Sequence, residues 1–137
     1  MSDIHTRVYD LKDFESRKFL PPGKYRGVIC GHLVGTTQKG TDTIRLLVRP
    51  EEPLSGQDIS GVEMNVELKS ETFFDTDNAR GRFFDAIRKI DPAALRPGNL
   101  PSIAENVMLA QVNFDFVQKK SRTSDATYWE CVNITAA

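Results

Sequence analysis

Cysteine and histidine are scarce in this 137-residue chain: Cys30 and Cys131 are its cysteines, His5 and His32 its histidines. The cysteines lie far apart without Cys-x-x-Cys spacing, which excludes a disulfide framework and reads as two reduced thiols. Neither histidine has Cys, His or carboxylate partners at zinc-ligand spacing, so no metal site is expected. No stretch approaches the ~20 apolar residues of a membrane span. The opening MSDIHTRVYD has no apolar run behind a basic start, so no secretory signal is read. These absences point to a soluble, cytoplasmic protein without membrane contact. Also missing are G-x-x-x-x-G-K-[ST], a dinucleotide fingerprint, G-x-S-x-G and H-E-x-x-H. No catalytic residue and no cofactor is therefore assigned, and the chain reads as a binding protein rather than an enzyme.

What is present is a globular balance, 39% hydrophobic and 27% charged, at a length that suits one core. The net charge of −1 hides a division along the chain. From Arg17 to Arg49 the basic residues Arg17, Lys18, Lys24, Arg26, Lys39, Arg45 and Arg49 stand against Asp42 alone. From Pro50 to Asn78 the acids Glu51, Glu52, Asp58, Glu63, Glu67, Glu71, Asp75 and Asp77 stand against Lys69. Such an asymmetry steers an anionic ligand onto one surface, or is ordinary solvated charge.

Residues 1–19 carry weak periodicity and read as a partly ordered arm, and the breaker Leu20-Pro21-Pro22-Gly23 opens a single domain over 20–137. A first strand is expected over Lys24–Thr37, with Gly27, Gly31 and Gly35 marking bends or close backbone approach. Thr43–Arg49 alternates Ile44, Leu46 and Val48 against Arg45 and Arg49. Residues 50–61, with Pro50, Pro53, Gly56 and Gly61, read as a loop. Val62–Lys69 alternates most cleanly of all, predicting a third strand with Glu63 and Glu67 outward. The period then lengthens: Ala79, Phe83, Ala86, Ile87 and Ile90 predict a helix from about Thr76, ended by Asp91-Pro92. Residues 91–105 read as turns. Two closing strands follow, one through Met108–Phe116 and one from Thr127 to about Thr135.

Five strands with a helix between the third and fourth is the order of the five-stranded oligonucleotide/oligosaccharide-binding (OB) Greek-key barrel. An all-β, OB-like barrel is the expected fold; an α+β sheet with one covering helix is the other arrangement. The start Leu20-Pro21-Pro22-Gly23-Lys24-Tyr25 resembles the L-P-x-G-x-Y opening of small phage and prophage proteins. The polar turn Gln38-Lys39-Gly40-Thr41-Asp42-Thr43-Ile44, the Phe-rich helix and the hairpin Gln111–Phe116 with Tyr128–Ile134 extend the likeness over roughly residues 20–135. The group resembles phage single-stranded DNA-binding proteins of OB fold. The likeness implies a role in DNA replication or recombination, alongside phage or host proteins of those processes, in the host-cell cytoplasm.

Single-strand binding needs cations for phosphate and flat side chains on which bases stack. The candidate cations are Lys24, Arg26, Arg45 and Arg49 on the first two strands, Lys39 in their turn, and Lys119, Lys120 and Arg122 in the last hairpin. Trp129 is the first candidate for stacking, facing outward if Tyr128, Val132 and Ile134 face the core. A shifted register would instead make it core. Tyr25 is the second candidate, or a brace between strand and helix. Phe83, Phe114 and Phe116 follow core patterns, and the adjacent Phe73 and Phe74 cannot both point inward. Glu63 and Glu67 would repel phosphate within the ~8–10 Å screening range unless they face away. Two functions follow from these residues. One is non-sequence-specific binding of single-stranded DNA. The other is a protein-interaction module on the same barrel, a virion component or a phage factor binding a host protein, working through the acidic 51–77 region and the Phe73-Phe74 pair. A homodimer is compatible with both.

Overall fold

A computed structural model of the chain describes residues 19–121 and 124–137. The expected arm over 1–19 therefore lies outside the described residues except for Phe19. The fold is mostly β: an antiparallel six-strand sheet with two helices. In chain order the elements are β1 (Gly23–Thr36), β2 (Asp42–Pro53), β3 (Leu68–Lys69), β4 (Phe73–Phe74), α1 (Asp77–Ile90), α2 (Leu100–Glu105), β5 (Gln111–Lys120) and β6 (Thr127–Ala136). The sheet runs β3-β2-β1-β5-β6, and β4 pairs with β2 off this path. Its two ends, β3 and β6, approach at an isolated parallel bridge between Ser70 and Cys131 rather than along a continuous ladder.

The long first strand serves two partners because it bends. It pairs with β5 over Gly23–Val28 and with β2 over Tyr25–Thr36, and the β2 register shifts between Arg26 and Gly27 and again between Ile29 and Gly31. Gly27 permits the first shift: a Cβ there would lie 2.4 Å from the Arg49 carbonyl oxygen and 3.0 Å from the Phe114 ring. No side chain fits in that gap.

The strand expected over Val62–Lys69 is corrected to a two-residue ladder, Leu68 opposite Val48 and Lys69 opposite Leu47. The whole run keeps its alternation, with Val62, Met64, Val66 and Leu68 half-buried and Glu63, Asn65, Glu67 and Lys69 exposed. Continued pairing would set it against Pro50 and Pro53, which have no N–H to donate. Those prolines also fall in β2 itself, where residues 50–53 were expected to be loop. They are tolerated because β1 supplies the pairing there, with Pro50 opposite Gly27 at the register shift.

Helix α1 buries the stripe Ala79, Phe83, Ile87 and Ile90, with Phe83 edge-on to Phe73 at 5.4 Å. It carries Arg88 and Lys89 in its last turn, where cations complement the helix dipole, and it ends at Asp91 before Pro92. The region expected to be only turns contains α2. Asn99 caps it, its side chain accepting from Ser102 N–H at 2.9 Å, and Pro101 sits in its first turn, where a missing donor costs nothing. The core combines Ile29, Ile44, Leu46 and Val48 of β1 and β2 with Val112 and Phe114 of β5 and Cys131 of β6. No helix among the described residues is long and apolar enough to cross a membrane.

Candidate nucleic-acid interface

The closing strand carries a bulge that decides its side-chain directions. Asn133 adopts φ 53°, and the β5–β6 register shifts between Asn113 and Asp115. Asparagine tolerates this left-handed backbone better than most residues. Cys131 and Ile134, three apart, are consequently both buried. The expected parity is therefore corrected: upstream of the bulge Trp129 shares the face of Cys131, and Tyr128 is exposed rather than core. Trp129 nevertheless remains available. It stacks on Phe116 with centroids 5.0 Å apart and rings 20° from parallel, and 41% of its surface is exposed.

Trp129 borders a groove of about 730 Å³ where β2, the Lys69–Phe74 segment, α1 and β6 meet. Its aromatic lining is Phe74, Tyr128 and Trp129; its cations are Arg45, Lys69, Arg82 and Lys119. Phe73 points into the core while its neighbour Phe74 is exposed to the groove, as adjacent residues of a strand must divide. The acids of the lining are Glu71 and Glu130, so the groove's formal balance is +2, four cations less two carboxylates. Glu63 and Glu67 do not line it; Glu63 borders a neighbouring apolar groove with Phe19, Leu20, Val66, Leu68, Phe116 and Trp129.

Arg45 is fixed by its own sheet. Its Nε donates to the Ser70 carbonyl at 2.8 Å, and its Nη2 lies 3.9 Å from Glu130 Oε2. Ser70 is buried and in turn accepts from Leu46 N–H through its hydroxyl at 2.8 Å. Lys119 donates to Glu130 Oε1 at 2.8 Å, and that hydrogen bond raises the lysine pKa. Glu130 itself is only 4% exposed. Lys69 and Arg82 have no carboxylate partner among the described residues.

The structure thus gathers Arg45, Lys119 and Trp129 of the sequence candidates and leaves the other described ones elsewhere. Lys24 and Arg26 lie toward the start of β1, opposite Asp115 and Asn113 of β5, and Arg26 pairs with Glu52 at 2.9 Å. Lys39 is exposed in the β1–β2 turn, and Arg49 is exposed on β2. Lys120 is 3.7 Å from Asp125, and Arg122 lies outside the described residues. Tyr25 is corrected from a stacking candidate to a brace. It is fully buried, its hydroxyl donates to the Pro21 carbonyl at 2.6 Å, and its ring stacks on Phe114. Lys69, Arg82, Phe74, Tyr128 and Glu130 are added to the site. Lys69 was readable as an outward residue of its alternating run. Arg82 was not, because nothing in the sequence tells which flank of α1 meets the sheet's end. No protein-family model matches this chain and no curated protein matches it, so the reading of the groove rests on its own geometry.

Proposed function

We propose that this protein binds single-stranded DNA with little sequence preference, in the manner of phage proteins of replication or recombination. The observation that carries this reading is the convergence of Phe74, Tyr128 and Trp129 with Arg45, Lys69, Arg82 and Lys119 in one open groove. Aromatic faces accept any base, and cations track the backbone without reading sequence. The sheet is read as an OB-like barrel. Support comes from the strand order β3-β2-β1-β5-β6 and from the parallel Ser70–Cys131 bridge, which draws the two end strands together. Full closure of such a sheet would remove its exposed edges. OB folds bind oligonucleotides on the face of their second and third strands, and the groove borders that face through Arg45 of β2 and Lys69 of β3. Binding, not catalysis, is the activity inferred.

The test is anisotropy of a labelled single strand of ~30 nucleotides, longer than the ~4–16 one OB fold covers. Wild type should bind, weaken with added salt, and bind less well as Trp129→Ala. Absence of binding by folded wild type would refute the proposal.

A specific observation favours a second reading, a protein-interaction module. The apolar groove beside Trp129 has Glu63 at its edge and Phe19 94% exposed. Under that reading, reversing the charge of Glu63 and Glu67 abolishes capture of a partner. Under the first it leaves DNA binding intact or improved.

A further inference from the structure

A carboxylate in the lining of the proposed phosphate-binding groove calls for an explanation. Glu130 is only 4% exposed, yet it borders the groove between Arg45 and Lys119. Each of its oxygens faces one of them, Oε1 at 2.8 Å from Lys119 and Oε2 at 3.9 Å from Arg45. Glu130 has no other ion-pair partner among the described residues. The groove's cations therefore fall into two classes. Lys69 and Arg82 are exposed and have no carboxylate partner among the described residues, whereas Arg45 and Lys119 share a fixed counter-ion.

We infer that Glu130 is an internal competitor for phosphate that sets the groove's affinity, and this rests on the proposed binding of single strands. A phosphate approaching Arg45 or Lys119 meets a pair already neutralised in part. A phosphate reaching Lys69 or Arg82 releases counterions in full. In low-exposure surroundings the carboxylate cannot swing into water to clear the way, because burial leaves it no solvated alternative. Lys119 is the more exposed partner, its side chain 41% exposed against 24% for Arg45.

The experiment is a salt titration of single-strand binding by wild type and Glu130→Gln. Glutamine keeps the shape and can still accept from Lys119, but it carries no charge. For single strands, log K falls with log[salt] at a slope of about −0.7 per neutralised phosphate. Wild type, with the groove's formal balance of +2, should show a slope near −1.4. Four free cations would give about −2.8. Glu130→Gln should steepen the slope by about 0.7 or more, and bind about eightfold tighter at 50 mM salt for each cation released. A variant that binds more weakly at every salt concentration, or with an unchanged slope, would show that Glu130 only positions the cations, overturning the inference while the binding function stands. Absence of binding by wild type would overturn both. If Glu130→Gln does not fold, the wild-type slope alone decides: near −1.4 supports the competitor, near −2.8 refutes it.

Discussion

Trp129 stacks on Phe116 across the β5–β6 ladder, centroids 5.0 Å apart, so that one face of the indole is held by the core while the residue remains 41% exposed. Phe116 pairs with Cys131 and Gln118 with Trp129, which makes the two aromatics a diagonal cross-strand pair on one face. A stacking platform works best when its ring does not have to be ordered by the ligand, and Phe116 does that ordering beforehand. Trp129→Ala should therefore weaken single-strand binding by about 5- to 150-fold, the equivalent of ~1–3 kcal/mol per stacked base. It should also lower stability by ~0.5–1.5 kcal/mol for the lost ring pair. Anisotropy and urea unfolding read the two effects separately, and an unchanged affinity would remove Trp129 from the site.

Lys69 and Arg82 should behave differently from Trp129. Neither pairs with a carboxylate among the described residues, so neutralising them leaves the fold's ion pairs intact. Lys69→Gln and Arg82→Gln should each make the salt slope shallower by about 0.7, with an affinity loss that is uniform across sequences. Thermal midpoints should stay at the wild-type value. A drop in midpoint without a change in slope would assign both residues to structure alone.

Gly27→Ala tests the bend that lets β1 serve two partners. Its added Cβ would meet the Arg49 carbonyl oxygen at 2.4 Å, a backbone atom that cannot rotate away. The variant should lose ~1–3 kcal/mol, the usual cost of overpacking, measured by urea unfolding. Wild-type stability would mean that β1 and β2 do not approach this closely.

These predictions also mark what was readable in advance. The alternation of Ile44, Leu46 and Val48 and the stripe Phe83, Ile87 and Ile90 located β2 and α1, because a buried face imposes its period directly on the sequence. Gly27 and Gly31 announced the two register shifts of β1, where close approach leaves little room for a Cβ, whereas Gly35 pairs regularly with Thr43. The direction of Trp129 was not readable, since it depends on a bulge at Asn133, and one inserted residue reverses every side chain beyond it. The extent of β3 was missed because pairing depends on the partner strand, and the limiting residues, Pro50 and Pro53, belong to β2. Of the groove, the contributions of Arg45, Lys119 and Trp129 were legible. Arg82 and Glu130 join it only through the approach of distant segments.

Cys131 gives a pH signature for the seam between β3 and β6. Burial, with Glu130 beside it, pushes its thiol pKa strongly upward from the usual value. The native state thus holds this proton more tightly than the unfolded chain does. That contribution to stability is complete below the unfolded thiol pKa of ~8.5 and is lost progressively as pH rises above it. Urea midpoints should fall between pH 8 and pH 10, and Cys131→Ala should remove the part of the fall that belongs to this thiol. Iodoacetamide should label Cys131 in the native protein far more slowly than in the unfolded chain. Rapid native labelling would mean that the seam is open.

The most direct measurement uses the chain's one tryptophan, which lies in the groove itself. Titrating the folded protein with a ~30-nucleotide single strand while following tryptophan emission reports on Trp129 alone. Saturable quenching at low salt, reversed by added salt and absent with a free mononucleotide at the same base concentration, is the result predicted for a strand seated on the indole. Unchanged emission across the titration, with the fold verified by circular dichroism, would contradict the proposal that this groove binds single-stranded DNA.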